Sequence, residues 1–191
     1  MGGNSRINTE KKVNSMEKMD GKVRRNKIIE ILKNEKNPIS GSTLAKMTGV
    51  SRQVIVQDIT LLRTEYEIFA TAKGYFLYPE SKQRPRRMFC VKHEPEQTQK
   101  ELCTIVDHGG KVLDVVVEHD VYGQIRADLV LSCRREVEEF CELLKKSKSG
   151  PLNILGNGIH YHTVEADREE ILYKIEKALV FSMQFYTTKL C

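Results

Sequence analysis

The sequence predicts an α+β protein in two units, three short helices closed by a hairpin and then helices packed on a mainly antiparallel sheet. Three observations carry that expectation. Before residue 79 the apolar residues recur at spacings of three and four, after residue 87 strand-like and helix-like runs alternate, and a basic stretch with two prolines separates the two patterns. A length of 191 residues suits one or two compact units.

Residues 1–21 are polar, with Gly2, Gly3, Asn4 and Ser5 and no sustained apolar period, and read as a mobile arm. From Val23, the residues Ile28, Ile31 and Leu32 mark one face of a helix that ends between Asn34 and Pro38. The string after Pro38 reads as two short helices with a tight break. Leu44, Ala45 and Met47 are apolar positions of the first, Gly49 permits a left-handed turn, and Val50 plugs the corner. Ser51 is placed to cap the second, whose inward stripe is Ile55, Ile59 and Leu62. Strands at 68–70 and 75–78 flank Thr71-Ala72-Lys73-Gly74, a hairpin by length and glycine. Residues 22–78 thus have the layout of a winged helix-turn-helix, and 79–87, with Lys82, Arg84, Arg86 and Arg87, read as a linker.

Residues 88–191 form the second unit. Strands are expected at 88–92, 111–119, 124–131 and 159–164, and helices at 96–106, 134–146 and 168–178, with 179–185 either continuing the last helix or forming a final strand. Asp107-His108-Gly109-Gly110 and Tyr122-Gly123 supply turns.

Charge divides along the same boundary. Residues 1–87 carry 18 Lys+Arg against 9 Asp+Glu, whereas 88–191 carry 13 against 17, so the first half suits a polyanion and the second does not. The longest apolar runs fall far short of the ~20 residues of a bilayer span, so no membrane partner is expected. Five cysteines, odd in number and without a C-x-x-C pair, read as reduced thiols in a cytoplasm. No nucleophile elbow, Walker-type glycine loop or H-E-x-x-H occurs, so an enzyme is not expected; a metal-dependent hydrolase with Glu101 as base is the alternative of that class.

A recognition helix needs polar forks and small apolar groups facing the major groove. The outward face of the second short helix offers Arg52 for guanine or phosphate, Gln53 and Gln57 for adenine, Val56 for a thymine methyl, and Thr60 and Arg63 beside them. Ser51 at the cap and Lys73 at the wing tip suit phosphates. Taken alone, such a face is also that of any solvated amphipathic helix; the preceding turn, the hairpin and the basic charge favour double-stranded DNA.

All five histidines lie beyond Arg87. His160-Tyr161-His162 sits in a strand, where alternation turns both imidazoles to one face about 7 Å apart. That suits a shared metal ion, although a polar strand face or hydrogen-bonded histidines have the same spacing. His93 ends the first strand of its unit, and Glu101 lies beside Leu102, Ile105 and Val106 on the next helix. If the first and last main strands are neighbours, His93, Glu101, His160 and His162 converge on nitrogen and oxygen donors suited to nickel, zinc or iron(II). His119, beside Asp120, is a turn residue or part of a pocket.

Two strings carry a resemblance. Ser51-Arg52-Gln53-Val54-Ile55-Val56-Gln57-Asp58-Ile59-Thr60-Leu61-Leu62 resembles the S-R-x-T-V-x-R-D-I-x-x-L recognition helix of many bacterial repressors, departing from it at Val54 and Gln57. His119-Asp120-Val121-Tyr122-Gly123, Ala127-Asp128-Leu129 and Gly158-Ile159-His160-Tyr161-His162-Thr163-Val164 resemble the three-histidine (3H) domain. A winged helix-turn-helix joined to a 3H domain is the architecture of the NiaR family of nicotinate-responsive transcriptional repressors of NAD biosynthesis and niacin uptake. The resemblance covers about residues 23–180. It implies an HPr-like fold for the second unit, with the first and fourth strands side by side, and His93, Glu101, His160 and His162 as ligands of one divalent metal. It further implies nicotinic acid as corepressor and a homodimer on a palindromic operator with half-sites about 34 Å apart; it does not fix the role of His119, which we place, with Tyr122, near the effector. A regulator answering to another small molecule, or to the metal itself, is the alternative that composition and spacing leave open.

Overall fold

A computed structural model describes residues 20–78, 84–182 and 184–186. The arm expected at 1–21 lies outside the described residues except for Asp20 and Gly21, which open the first helix. Asp20 caps that helix, α1 (Gly21–Asn34), its carboxylate accepting the Lys22 and Val23 amides at 2.8 and 3.4 Å. Ser40 and Ser51 cap α2 (Gly41–Thr48) and α3 (Arg52–Leu62) in the same way. Between those two helices Gly49 takes φ 71°, the left-handed turn its position predicts. The wing is an antiparallel hairpin of β1 (Ile68–Thr71) and β2 (Gly74–Leu77). Ile28, Leu32, Leu44, Ile55, Ile59 and Leu62 fill the core of this unit, beside a buried ion pair between Arg24 Nε and Asp58 Oδ2 at 2.6 Å.

The second unit runs β3 (Arg86–Lys92), a 3-10 turn (Pro95–Gln97), α4 (Thr98–Asp107), β4 (Lys111–His119), β5 (Gly123–Leu131), α5 (Arg134–Lys146), a second 3-10 turn (Leu152–Gly156), β6 (Ile159–Glu165), α6 (Glu169–Ser182) and β7 (Gln184–Tyr186). The five strands are ordered β5-β4-β6-β3-β7, every pair antiparallel. The first and fourth strands of the unit are therefore neighbours, and Phe89 faces His162 while Val91 faces His160. Helices α4, α5 and α6 cover one face through Leu102, Ile105, Val137, Leu172, Ile175 and Leu179. The wing and Tyr78 lie against the other face, where Phe69, Tyr78 and Leu113 form a small buried cluster with Phe76 and Val130.

Some boundaries differ from expectation. Residues 79–83 of the linker lie outside the described residues, and its last two belong to β3, because carboxylates fix both. Arg86 bonds Glu165 at 2.8 Å and Glu67 at 2.7 Å, and Arg87 bonds Glu176 at 2.8 Å. The helix expected at residue 96 begins at Thr98, after the turn opened by Pro95. Both readings of 179–185 hold in part, since α6 continues to Ser182 and β7 then pairs with β3.

One irregularity in the sheet bears on the site. Between the rungs at Val112 and Val116, β4 carries one residue more than β6, and β5 carries one more than β4. Such bulges turn a strand and re-aim its groups. Here Val130 takes φ 58°, unusual for a β-branched residue, and Asp114 leaves the regular ladder with β6.

Candidate metal centre and nucleic-acid interface

His160 and His162 stand two apart on β6 and so share the face covered by helices, with ring centroids 5.0 Å apart. Pairing of β3 with β6 brings His93 alongside, its ring 4.8 Å from that of His160. Below them α4 offers Glu101, which has no exposed surface. All three Nε2 atoms face this carboxylate: His93 at 2.7 Å and His160 at 3.2 Å from Oε2, and His162 at 3.4 Å from Oε1. Two ligands each about 2.1 Å from a common metal stand roughly 3.0–3.4 Å apart.

The far side of each ring is held as well. Nδ1 of His93, His160 and His162 donates to the carbonyls of Glu94 (2.7 Å), Gly158 (2.9 Å) and Asp114 (2.6 Å). A backbone carbonyl on Nδ1 fixes the tautomer that leaves Nε2 as a lone pair, the arrangement of ligating imidazoles. Gly158 is required for this packing. It takes φ 84°, and a Cβ there would lie 2.8 Å from the His93 carbonyl. Asp114 reaches His162 because of the bulge: its carbonyl accepts Nδ1 while its carboxylate accepts the Thr163 amide at 2.9 Å.

Burial acts against every charge in this cluster. For Glu101 burial pushes the pKa up, but His162 and hydrogen bonds from the three imidazoles hold it well below the usual carboxylate value. For His93 and His162 burial pulls down, and the hydrogen bond and negative charge of Glu101 outweigh it, leaving both raised. An ionised carboxylate so enclosed needs positive charge beside it, as protons on imidazole or as a metal ion. The donor set of three imidazoles and one carboxylate fits a divalent transition metal. Among the described residues, His93, Glu101 and His160 are the group whose ligand atoms all lie within 4.8 Å of one another.

A cavity of about 180 Å³ opens beside His160 and His162. Leu102, Val115, Ala127, Leu129, Phe140 and Leu152 give it apolar walls, and Thr98 and Asn153 line it as well. Thr98 Oγ1 and Asn153 Oδ1 are buried and lack hydrogen-bond partners within the protein. Sequence reasoning missed both, and missed Asp114, although a lone carboxylate inside the apolar run Val112–Val117 was a readable signal. His119 and Tyr122 lie at the β4–β5 hairpin, five and more residues beyond Asp114, roughly 16 Å along the strand, and do not line this cavity. His119 Nδ1 accepts the Val121 and Tyr122 amides, and Tyr122 is 76% exposed.

In the first unit α3 shows Arg52, Gln53, Gln57 and Thr60 to solvent and Val56 at half exposure. At 1.5 Å per residue its 11 residues span about 16 Å, a length suited to a major groove. Ser51 spends its hydroxyl on the Val54 amide and Thr60 on the Val56 carbonyl, so the free forks are Arg52, Gln53 and Gln57. Two expected DNA residues contact the second unit in the DNA-free chain. Lys73 is paired with Glu139 of α5, and Arg63 with Asp128 of β5 at 3.0 Å. Among the described residues no helix is long and apolar enough to cross a membrane.

Comparison with known proteins agrees with both halves. The 3H domain family matches residues 86–185, and a helix-turn-helix domain family matches residues 24–76. The protein named "Probable transcription repressor NiaR" from Thermotoga maritima is 45% identical over 153 residues, 80% of this chain and 87% of that one. The protein named "Transcription repressor NadR" from Bacillus subtilis is 39% identical over 165 residues, 84% of this chain and 90% of that one.

Proposed function

The chain belongs to the NiaR- and NadR-type transcription repressors, a helix-turn-helix domain joined to a 3H domain, and from that premise we propose that a divalent transition metal and nicotinic acid together set its affinity for DNA. The relatives are repressors by name, so the hydrolase reading is set aside. One observation carries the proposal: three imidazoles, each held from behind by a carbonyl, present Nε2 to one buried carboxylate. His93, Glu101, His160 and His162 would hold the metal, which when bound supplies a Lewis-acidic position for the pyridine nitrogen or carboxylate of the effector.

The chain's own residues do the rest. Leu102, Val115, Leu129 and Phe140 suit the two faces of a flat ring, and Thr98 Oγ1 is a donor for a carboxylate oxygen. The effector can drive repression only by preferring one arrangement of the chain, in a homodimer whose recognition helices stand about 34 Å apart on a palindromic operator. A coupling of about 1–3 kcal/mol would change operator affinity some 5- to 150-fold.

The test is calorimetric titration of nicotinic acid into metal-loaded protein, repeated after chelation and with nicotinamide in its place. Saturable binding that disappears with the metal is expected. Absence of heat in folded, metal-loaded protein would redirect the reading to a sensor of the metal itself or of another ligand.

A further inference from the structure

Under the wing, one carboxylate holds two parts of the DNA-binding unit at once. Asp128 Oδ2 accepts the Ala70 amide of β1 at 2.9 Å and Arg63 Nη2 at 3.0 Å. Arg63 caps the C-terminus of α3, the recognition helix. Two residues back on β5, and so on the same face, Arg126 points Nε at Asp128 Oδ1 from 3.7 Å and Nη2 at Asp114 Oδ2 from 2.8 Å. Asp114 in turn gives its carbonyl to His162 Nδ1. A continuous polar chain thus runs from an imidazole on the helix-covered face, through the thickness of the sheet at the bulge, to the cap of the recognition helix.

These residues have no packing reason to be charged. Asp114 is 1% exposed inside the otherwise apolar run Val112–Val117, where an unpaired carboxylate is costly. Its partners, the Thr163 amide and Arg126, tie that strand to both neighbours. We propose that Arg126 and Asp128 are positioning residues that couple the histidine cluster to the recognition helix. A change in how His162 holds Asp114 shifts the bulge, Arg126 carries the shift along β5, and Asp128 passes it to the wing strand and the α3 cap together. Contiguity alone does not establish energetic coupling, so the test must read both ends of the chain.

This inference rests on the reading of the histidine cluster as a metal site. The experiment is residue-level amide hydrogen exchange on the full chain, chelator-treated or with one equivalent of nickel(II), for the wild type, Arg126→Gln and Asp128→Asn. In the wild type, metal should slow exchange along His160–Glu165 and also, by about fivefold or more, along Ile68–Thr71. In both variants the first slowing should persist and the second should vanish. Gln at 126 keeps an amide donor for Asp114, and Asn at 128 keeps an oxygen for the Ala70 amide, so neither variant strips its buried partner of a hydrogen-bonding group. Wing protection that survives in the variants, or is missing from a wild type protected at His160–Glu165, overturns the coupling alone. If His160–Glu165 does not respond to nickel(II), the metal reading fails and the coupling falls with it.

Discussion

At the scale of residues, Glu101 decides how the molecule behaves with pH. Its carboxyl is held well below the usual value, so it stabilises the fold above its ordinary pKa of 4.5, and that contribution is lost as pH falls through the lower folded value. His93 and His162 are raised above 6.5, so their contribution is fully present below 6.5 and is lost as pH rises through the raised values. In metal-free protein the cluster therefore stabilises most between about pH 4.5 and 6.5 and weakens as pH rises through the raised histidine values. Metal reverses the alkaline limb because it binds neutral imidazoles and supplies the positive charge itself. Thermal melts at pH 6 and 8.5, with and without zinc(II) or nickel(II), should show the metal raising Tm more at the higher pH. At a metal concentration 100 times Kd the gain is about 2.7 kcal/mol. An equal gain at both values would mean that the imidazoles do not carry the protons assigned to them.

At the scale of elements, the winged unit depends on a pair that its apolar stripe does not reveal. Asp58 lies on the inward face of α3 and holds Arg24 of α1, both largely buried. Asp58→Ala should cost about 3–5 kcal/mol, seen as a lower denaturation midpoint of the winged unit, because it leaves a buried guanidinium without this carboxylate. A loss below 1 kcal/mol would show that water reaches Arg24. The elements themselves were legible in the sequence because their signals are local: serines at caps, Gly49 at a turn, apolar residues at helical spacing. His160 and His162 were legible too, since alternation in a strand puts them on one face whatever the fold. Their union with His93 needed the β3–β6 pairing, which periodicity cannot supply and the 3H resemblance did. Asp114, Thr98 and Asn153 stayed hidden, because their roles come from a bulge and a cavity that form only when strands and helices are assembled. His119 and Tyr122 fall in a quoted motif, and the hairpin carries them along β4 away from the cluster.

At the scale of the whole molecule, the two units are held together by charge as much as by the Phe69, Tyr78 and Leu113 cluster. Tyr78 donates to Glu165, which also holds Arg86, and Lys73 at the wing tip is drawn onto Glu139. A wing tip engaged there is not available to a phosphate. Glu139→Gln should release Lys73 and steepen the salt dependence of binding to a non-specific duplex, the log–log slope growing by about 0.9 for one more phosphate contact. Both partners are substantially exposed, so Tm should barely change. An unaltered slope would show that Lys73 does not reach DNA. The bulges bear on the same union through plain geometry. Over the same two rungs the chain takes four residues in β6 (161–164), five in β4 (112–116) and six in β5 (126–131). At about 3.3 Å per residue, the outer strand is longer by roughly 7 Å over that interval. The two extra residues of β5 fall where Asp128 and Val130 meet the wing, and since bulges bend a strand, the irregularity that re-aims Asp114 also sits at the seam between the two units.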